Sequence, residues 1–445
     1  MPSRPRMPAA AVAAAVAAAL ALGAQAVPAA ATDAPAAVVS RGVEIPAFYT
    51  PPSSLPEADG TLIRSEPLRL ALSLPSIGGP LPGRATRLMY KSTDANGEPV
   101  AVTGAYIEPT ARWRGDGPRP LVVVAPGTMG QGDQCAASMG LEHPLRLNGE
   151  TVSVGYEDLS VYRLLARGVA VVVTDYAGLG ATDRLHTYVN RVDEAHAVLD
   201  AVRAARALDS ASITADSRVG LFGYSQGGGA TAAAAELQPS YAPDVVLAGT
   251  YAGAPPADLA KVTEAIDGSD LAGALGWSLN GFLQSEPALR PIADRYVNAA
   301  GEKALEDLST MCIGDALFSY GGDESTSWTK TGQSLGDIVR AEPALQAFLD
   351  KQRIGTSKPS GPVRVATGVS DDLVPHGQAR QLAVDWCRRG GQVTYAPVLL
   401  PGVGSGLLNH AAPLLTDQGT AISWLTDRLD GKPAGSNCWT VPAQP

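Results

Sequence analysis

The sequence predicts an α/β fold: a mostly parallel central sheet with helices on both faces, interrupted by an inserted helical cap. Three observations carry this prediction. Short, unbroken apolar runs recur between helix-length segments, the pattern of strands buried on both faces. One of these runs leads directly into a Gly-rich turn and a helix. A segment of the second half then shows helical periodicity with no strand-like run, after which strands resume.

The elements follow in order. Arg4 and Arg6 precede an uncharged run from Pro8 to Leu22, and the small residues Ala24-Gln25-Ala26 and Ala29-Ala30-Ala31 come next. A basic start, an apolar stretch and an A-x-A site read as a secretory signal peptide over residues 1–26, with Ala31 as an alternative cleavage point. The run is short for a membrane span, and an uncleaved anchor is the alternative reading. Residues 27–60, rich in Ala and Pro, are expected to be extended. A first core segment, 61–255, holds a hairpin about Asn96-Gly97 and strands at Leu121–Ala125, Val169–Thr174, Val219–Phe222 and Val245–Tyr251, with a helix over Val192–Leu208. The pattern breaks at Pro255-Pro256, and 256–358 is the helical insertion. The core resumes over 359–445 with strands at Val363–Ala366 and Val393–Val398 and a last helix at about Ala411–Leu429.

Composition bounds the function. With 445 residues, 45% of them hydrophobic and 18% charged, the chain can bury a large core, which excludes disorder as the main state. A formal charge of −10 without a basic stripe makes nucleic acid a poor partner. No HExxH, P-loop or strand-borne GxGxxG appears, so no metal or other cofactor is expected. Cys135, Cys312, Cys387 and Cys438 form an even set in a chain marked for export, and two disulfides are expected.

Gly223-Tyr224-Ser225-Gln226-Gly227 is a G-x-S-x-G sequence between the strand ending at Phe222 and the helical stretch Gly228–Leu237. That strand–turn–helix context is a nucleophile elbow, which exposes the serine hydroxyl at the top of an α/β-hydrolase sheet. Without it, the same glycines would be a plain turn. A serine needs a general base, and the base needs an orienting acid, in the order Ser…Asp…His for this fold. Asp371, in the loop after Val363–Ala366, is the candidate acid, with Asp372 in reserve. His143, His186, His196 and His376 sit in a polar loop, beside Arg184 and Tyr188, on an acidic helix and at a helix start. His410, in the Gly-rich segment after the last strand, is the candidate base. An oxyanion hole needs two backbone N–H donors. Gln226 is one, and either Thr128 or Met129, in Pro126-Gly127-Thr128-Met129-Gly130, is the other. In the insertion, Leu271, Leu275, Leu279 and Phe282 or Leu283 recur at helical spacing. Tyr224, Leu275, Trp277 and Leu279 are the expected substrate contacts, with packing onto the core as the bland alternative for that face.

The residues assembled this way resemble the secretory lipase family, the lipase A type of α/β-hydrolase known from yeasts and actinobacteria. The resemblance runs through Phe48-Tyr49-Thr50-Pro51-Pro52, Gly60-Thr61-Leu62-Ile63-Arg64, Gly127-Thr128 with Asp133 and Cys135, and Asp175-Tyr176-Ala177-Gly178-Leu179-Gly180. It continues through the elbow, Asp371 in Asp-x-x-Val-Pro, and Asn409-His410. It implies Ser225, Asp371 and His410 as a triad, a cap inserted after the strand beyond the nucleophile, and disulfides Cys135–Cys312 and Cys387–Cys438. Relatives often carry His before the Gly-Thr pair, where this chain has Pro126. The expected activity is secreted ester hydrolysis on a small-molecule ester or lipid, with transient contact to a lipid surface as part of it. A serine peptidase or acyltransferase of the same fold, and a non-catalytic binding protein, are the competing classes.

Overall fold

A computed structural model describes residues 38–445 apart from 77, 78, 149 and 405. The expected signal peptide, residues 1–26, lies outside the described residues. In chain order the strands are β1 (Val38–Ser40), β2 (Val43–Ile45), β3 (Leu62–Leu68), β4 (Gly83–Thr93), β5 (Pro99–Pro109), β6 (Leu121–Ala125), β7 (Leu145–Leu147), β8 (Val152–Val154), β9 (Ala170–Ala177), β10 (Val219–Tyr224), β11 (Leu247–Gly253), β12 (Pro362–Gly368) and β13 (Gln392–Val398). The helices are α1 (Ala137–Gly140), α2 (Asp158–Leu165), α3 (Arg191–Arg206), α4 (Gln226–Tyr241), α5 (Leu259–Ile266), α6 (Gly273–Ser285), α7 (Arg290–Tyr296), α8 (Ala299–Leu308), α9 (Ile313–Tyr320), α10 (Leu335–Ala341), α11 (Pro343–Gln352), α12 (His376–Arg388) and α13 (Leu407–Leu429).

Nine strands form the central sheet in the order β13-β12-β11-β10-β6-β9-β5-β4-β3. The six from β13 to β9 run parallel, and β5, β4 and β3 add antiparallel pairs at one edge. The central strands are apolar throughout because both faces are covered. In β6, Leu121, Val123 and Ala125 join the cluster packed with α3, α4 and α12, whereas Val122 and Val124 join the one packed with α2 and α13. A strand that alternates its side chains between two buried faces leaves no polar position, so its run is unbroken. From Leu259 to Gln352 the chain is helical, α5 to α11, around a third apolar cluster of its own.

Two local readings change, and one strand has no counterpart among the expected ones. The segment before residue 60 is not simply extended: β1 pairs with β2, and Tyr49 is fully buried with its hydroxyl 2.7 Å from Ser138 Oγ. Strand β3 carries Arg64, Glu66 and Pro67 on a half-exposed sheet edge, so no apolar pattern marks it. The last helix begins at Leu407, not near Ala411, because Gly406 takes φ 70° and turns the chain into it, so His410 lies in the first helical turn. The cysteines form Cys135–Cys312 and Cys387–Cys438, with Cα separations of 5.3 and 5.5 Å. The first joins the segment after β6 to the start of α9, beside a backbone bridge between Gly130 and Cys312.

Candidate active site

The site collects at the carboxyl ends of β6, β10, β12 and β13, the edge where open parallel sheets bind ligands. Ser225 stands between β10 and α4 with φ 58° and ψ −124°, a conformation rare for a non-glycine residue. The elbow is tight enough to exclude side chains at its glycines. A Cβ at Gly223 would sit 2.1 Å from Gly227 O, and one at Gly227 would sit 2.0 Å from Ala125 O. The Ser225 N–H donates to Gly253 O at 2.9 Å, fastening the turn to β11.

Asp371 and His410 meet from different strand ends. Asp371 Oδ2 lies 2.7 Å from His410 Nδ1, and its Oδ1 accepts the N–H groups of Leu373 and Val374 at 3.2 and 3.0 Å. His410 Nε2 is buried with no hydrogen-bond partner among the described residues. The reserve acid, Asp372, faces elsewhere: it accepts the Gly406 N–H at 3.0 Å and the Asn409 amide at 3.1 Å, holding the segment that leads into α13. Tyr224 is buried beside this pair, and its hydroxyl donates to His410 O at 2.7 Å. Its ring lies 5.3 Å from the His410 ring, and it is not among the residues lining the cavity over Ser225.

The segment after β6 is held on all sides. Gly127 N–H donates to Glu157 Oε1 at 2.8 Å, Tyr156 donates to Thr128 O at 2.8 Å and Tyr176 donates to Pro126 O at 2.7 Å. Thr128 Oγ1 lies 2.7 Å from the Tyr188 hydroxyl. Met129 O and Gln131 N bond across to Ile313 and Met311. The N–H groups of Thr128, Met129 and Gln226 have no acceptor among the described residues, which is the state an oxyanion donor needs before substrate arrives.

Burial pushes the Glu157 carboxyl up to about 7, against the lowering effect of the Gly127 N–H and Ser160. The folded state therefore keeps a proton that the unfolded chain releases near pH 4.5, so this group's contribution to stability falls as pH rises from about 4.5 through 7. Glu157→Gln keeps the acceptor for Gly127 and removes the titration. The loss of Tm between pH 5 and pH 8 should be smaller in this variant than in the wild type, by up to roughly 3 kcal/mol of stability. An equal loss in thermal unfolding curves of the two proteins would refute the assignment.

A narrow cavity lies over Ser225 and Gln226. Tyr188, Val189 and Val374 line it, with Leu259, Val262 and Ile266 of α5 and with Leu271, Ala274, Ser278 and Phe282 in and before α6. It holds about 30 Å³, room for about two waters. Residues 274, 278 and 282 recur every four positions and share one face of α6. Leu275 and Trp277 lie on other faces, packed in the cap's own core, where the Trp277 indole donates to Leu308 O at 2.9 Å. Leu279 packs against the same cluster. The apolar positions of α6 thus divide between the cap's core and the cavity, because two apolar stripes adjoin there. Among the described residues there is no cluster of three metal-ligating side chains.

No motif in the sequence singles out His186, Tyr188, Glu157 or Glu194 for the site. An acid in a first helical turn ordinarily reads as a solvated dipole partner, and no local spacing reports that Glu194 is 2% exposed.

A serine on a strand–helix elbow, with an Asp–His pair at the same edge of a mostly parallel sheet, defines an α/β-hydrolase. The sequence profile of the Secretory lipase family matches residues 141–437, and the chain belongs to that family, whose members are lipase-type ester hydrolases. Probable inactive lipase MT1628 of Mycobacterium tuberculosis is 30% identical over 387 residues, covering 87% of this chain and 82% of its own length. Secreted triacylglycerol lipase LIP4 of Malassezia globosa is 25% identical, covering 88% and 82%. In fold the chain is similar to Candida antarctica lipase A in its closed state, with TM-score 0.72 and 20% identity over 87% of this chain and 86% of that one. It is also similar to the rice cell wall degrading esterase LipA from Xanthomonas oryzae, with TM-score 0.67 and 20% identity over 85% and 100%.

Proposed function

We propose that the protein is a secreted serine carboxylic-ester hydrolase, a triacylglycerol lipase or lipid esterase, working through Ser225, His410 and Asp371. The observation that carries this reading is the 2.7 Å contact between Asp371 and His410 Nδ1 with Nε2 left unpartnered. A ring whose Nδ1–H is held by a carboxylate presents a basic Nε2. In this reading Ser225 Oγ bonds to the ester carbonyl carbon as Nε2 takes its proton. The carbonyl oxygen becomes an oxyanion facing the N–H of Gln226 and of Thr128 or Met129. As the C–O bond to the alcohol breaks, Nε2 returns the proton to the leaving oxygen. Water, deprotonated by Nε2, then cleaves the acyl-enzyme and frees the acid.

The basic N-terminus with its A-x-A sites supports export, as do relatives named secreted lipases. The apolar faces of α5 and α6 support an acyl group as the cavity's occupant, and a chain longer than a few carbons requires those helices to part. The acyl contacts proposed are Leu271 and Phe282 rather than Leu275, Trp277 and Leu279. The name of the mycobacterial relative favours one competing reading, a non-catalytic member of the family.

A fluorophosphonate probe should label Ser225 in the intact protein, and p-nitrophenyl esters should be cleaved while aminopeptidase substrates are not. No labelling would establish the non-catalytic reading, and amide cleavage the peptidase one. With about 0.8 kcal/mol per buried CH₂ at stake, Phe282→Asn should lower kcat/KM for octanoate more than for acetate. An equal fall for both would remove the cavity as the acyl site.

A further inference from the structure

We propose that Glu194 is a positioning residue for the oxyanion, clamping the Gln226 side chain and, through it, the Gln226 peptide N–H. This rests on the reading of Ser225 as nucleophile and of the next residue's N–H as an oxyanion donor. Gln226 Nε2 donates to Glu194 Oε1 at 2.7 Å and lies 3.1 Å from His186 Nε2. An amide nitrogen only donates, so His186 Nε2 is the acceptor and its Nδ1 carries the proton, donating to Ala177 O at 2.9 Å. Burial, which drops the His186 pKa to about 4, keeps the ring neutral in that tautomer. Both amide hydrogens of Gln226 are thereby used, and the side chain has no second position to take.

The same carboxyl holds the wall of the cavity. Glu194 Oε1 accepts the Val189 N–H at 3.0 Å. Val189 sits at φ 57°, the left-handed region that a β-branched residue rarely enters. The segment it belongs to also reaches the second donor-bearing stretch: Gln131 Nε2 donates to His186 O at 2.8 Å, and Tyr188 meets the Thr128 hydroxyl. Residues 186–189 therefore connect the elbow to the segment after β6, and Glu194 is the acceptor that ties this connection to Gln226. Glu194 is 2% exposed, and burial raises its pKa to about 8, with no cation beside it to lower it. A buried carboxyl without a cation costs stability, and here it is retained as the acceptor for two buried donors, the Gln226 amide and the Val189 N–H. What the carboxyl supplies is geometry.

The test compares Glu194→Leu, Glu194→Gln and Gln226→Ala, the last keeping the peptide N–H and deleting only the clamp. Loss of one oxyanion donor costs about 10²–10³ in kcat, so misplacing one should cost roughly 10–100-fold. Glu194→Leu and Gln226→Ala should each show that fall in kcat with KM within about threefold. Affinity for a trifluoromethyl ketone, whose adduct with Ser225 carries an oxyanion, should fall by the same factor as kcat/KM. Glu194→Gln keeps an acceptor and should restore kcat to within a few-fold of wild type, and the double variant should lose no more than either single one. Unchanged kcat in Gln226→Ala, which leaves the Val189 N–H its acceptor on Glu194, would overturn the proposal even if Glu194→Leu failed to fold. If Ser225→Ala were itself active, the underlying reading would fail instead. If Ser225→Ala is inactive while both clamp variants are normal, only the clamp fails.

Discussion

Ser225→Ala should lower kcat by about 10⁴-fold or more while leaving the thermal unfolding midpoint within a few degrees of wild type. The hydroxyl makes no hydrogen bond among the described residues, so its loss strands no buried partner. The strained φ of 58° belongs to the backbone, and alanine meets the same cost there as serine. Fold and function therefore separate cleanly at this position. A variant keeping more than about a hundredth of the wild-type kcat would refute Ser225 as the nucleophile. The comparison has added weight because one relative is named a probable inactive lipase. A wild-type protein without activity would end the hydrolase reading before any variant was made.

Asp371→Asn should cost on the order of 10⁴ in kcat, and Asp372→Asn only a few-fold. The amide introduced by Asp371→Asn cannot be accommodated without consequence: with its oxygen still accepting from Leu373 and Val374, its nitrogen would face His410 Nδ1. Two donors cannot share that contact, so the proton would shift to Nε2 and the ring could no longer take one from Ser225. Asp372→Asn retains an acceptor for the Gly406 N–H and disturbs only the hold on the segment before α13. Steady-state kinetics on one p-nitrophenyl ester decides it. Equal losses in the two variants, or a larger one at Asp372, would reverse the roles.

The family membership rests on a profile covering most of the chain and on relatives near 30% identity, and the similarity to solved structures speaks for the fold. Within that frame, the hydrogen bonds around Gln226 and Gly127 describe how this chain holds its donors. The stretch from Pro126 to Thr128 is supported by side chains from three other segments. Tyr176 takes the Pro126 carbonyl, Glu157 the Gly127 N–H and Tyr188 the Thr128 hydroxyl.

Local order along the chain was legible wherever its cause is local. Leu121–Ala125 reads as a doubly covered strand because both of its faces are buried, and the strand matches residue for residue. The elbow is legible because a turn that tight admits only glycine two residues before and after the serine. The order Ser…Asp…His comes from the pattern of this fold and not from a local rule. Edge strand β3 was not legible, since an edge half in solvent needs no apolar alternation. Nor was the start of α13, which depends on a single glycine adopting φ 70°. What only the tertiary structure decided is which side chains meet across distant segments: Leu271 and Phe282 rather than Leu275 over the serine, and Glu194 on Gln226. Hydrophobic period and turn chemistry act within a few residues and leave their mark in composition. A contact between residues 32 positions apart is set by how whole elements pack, and Glu194 and Gln226 carry no local trace of it.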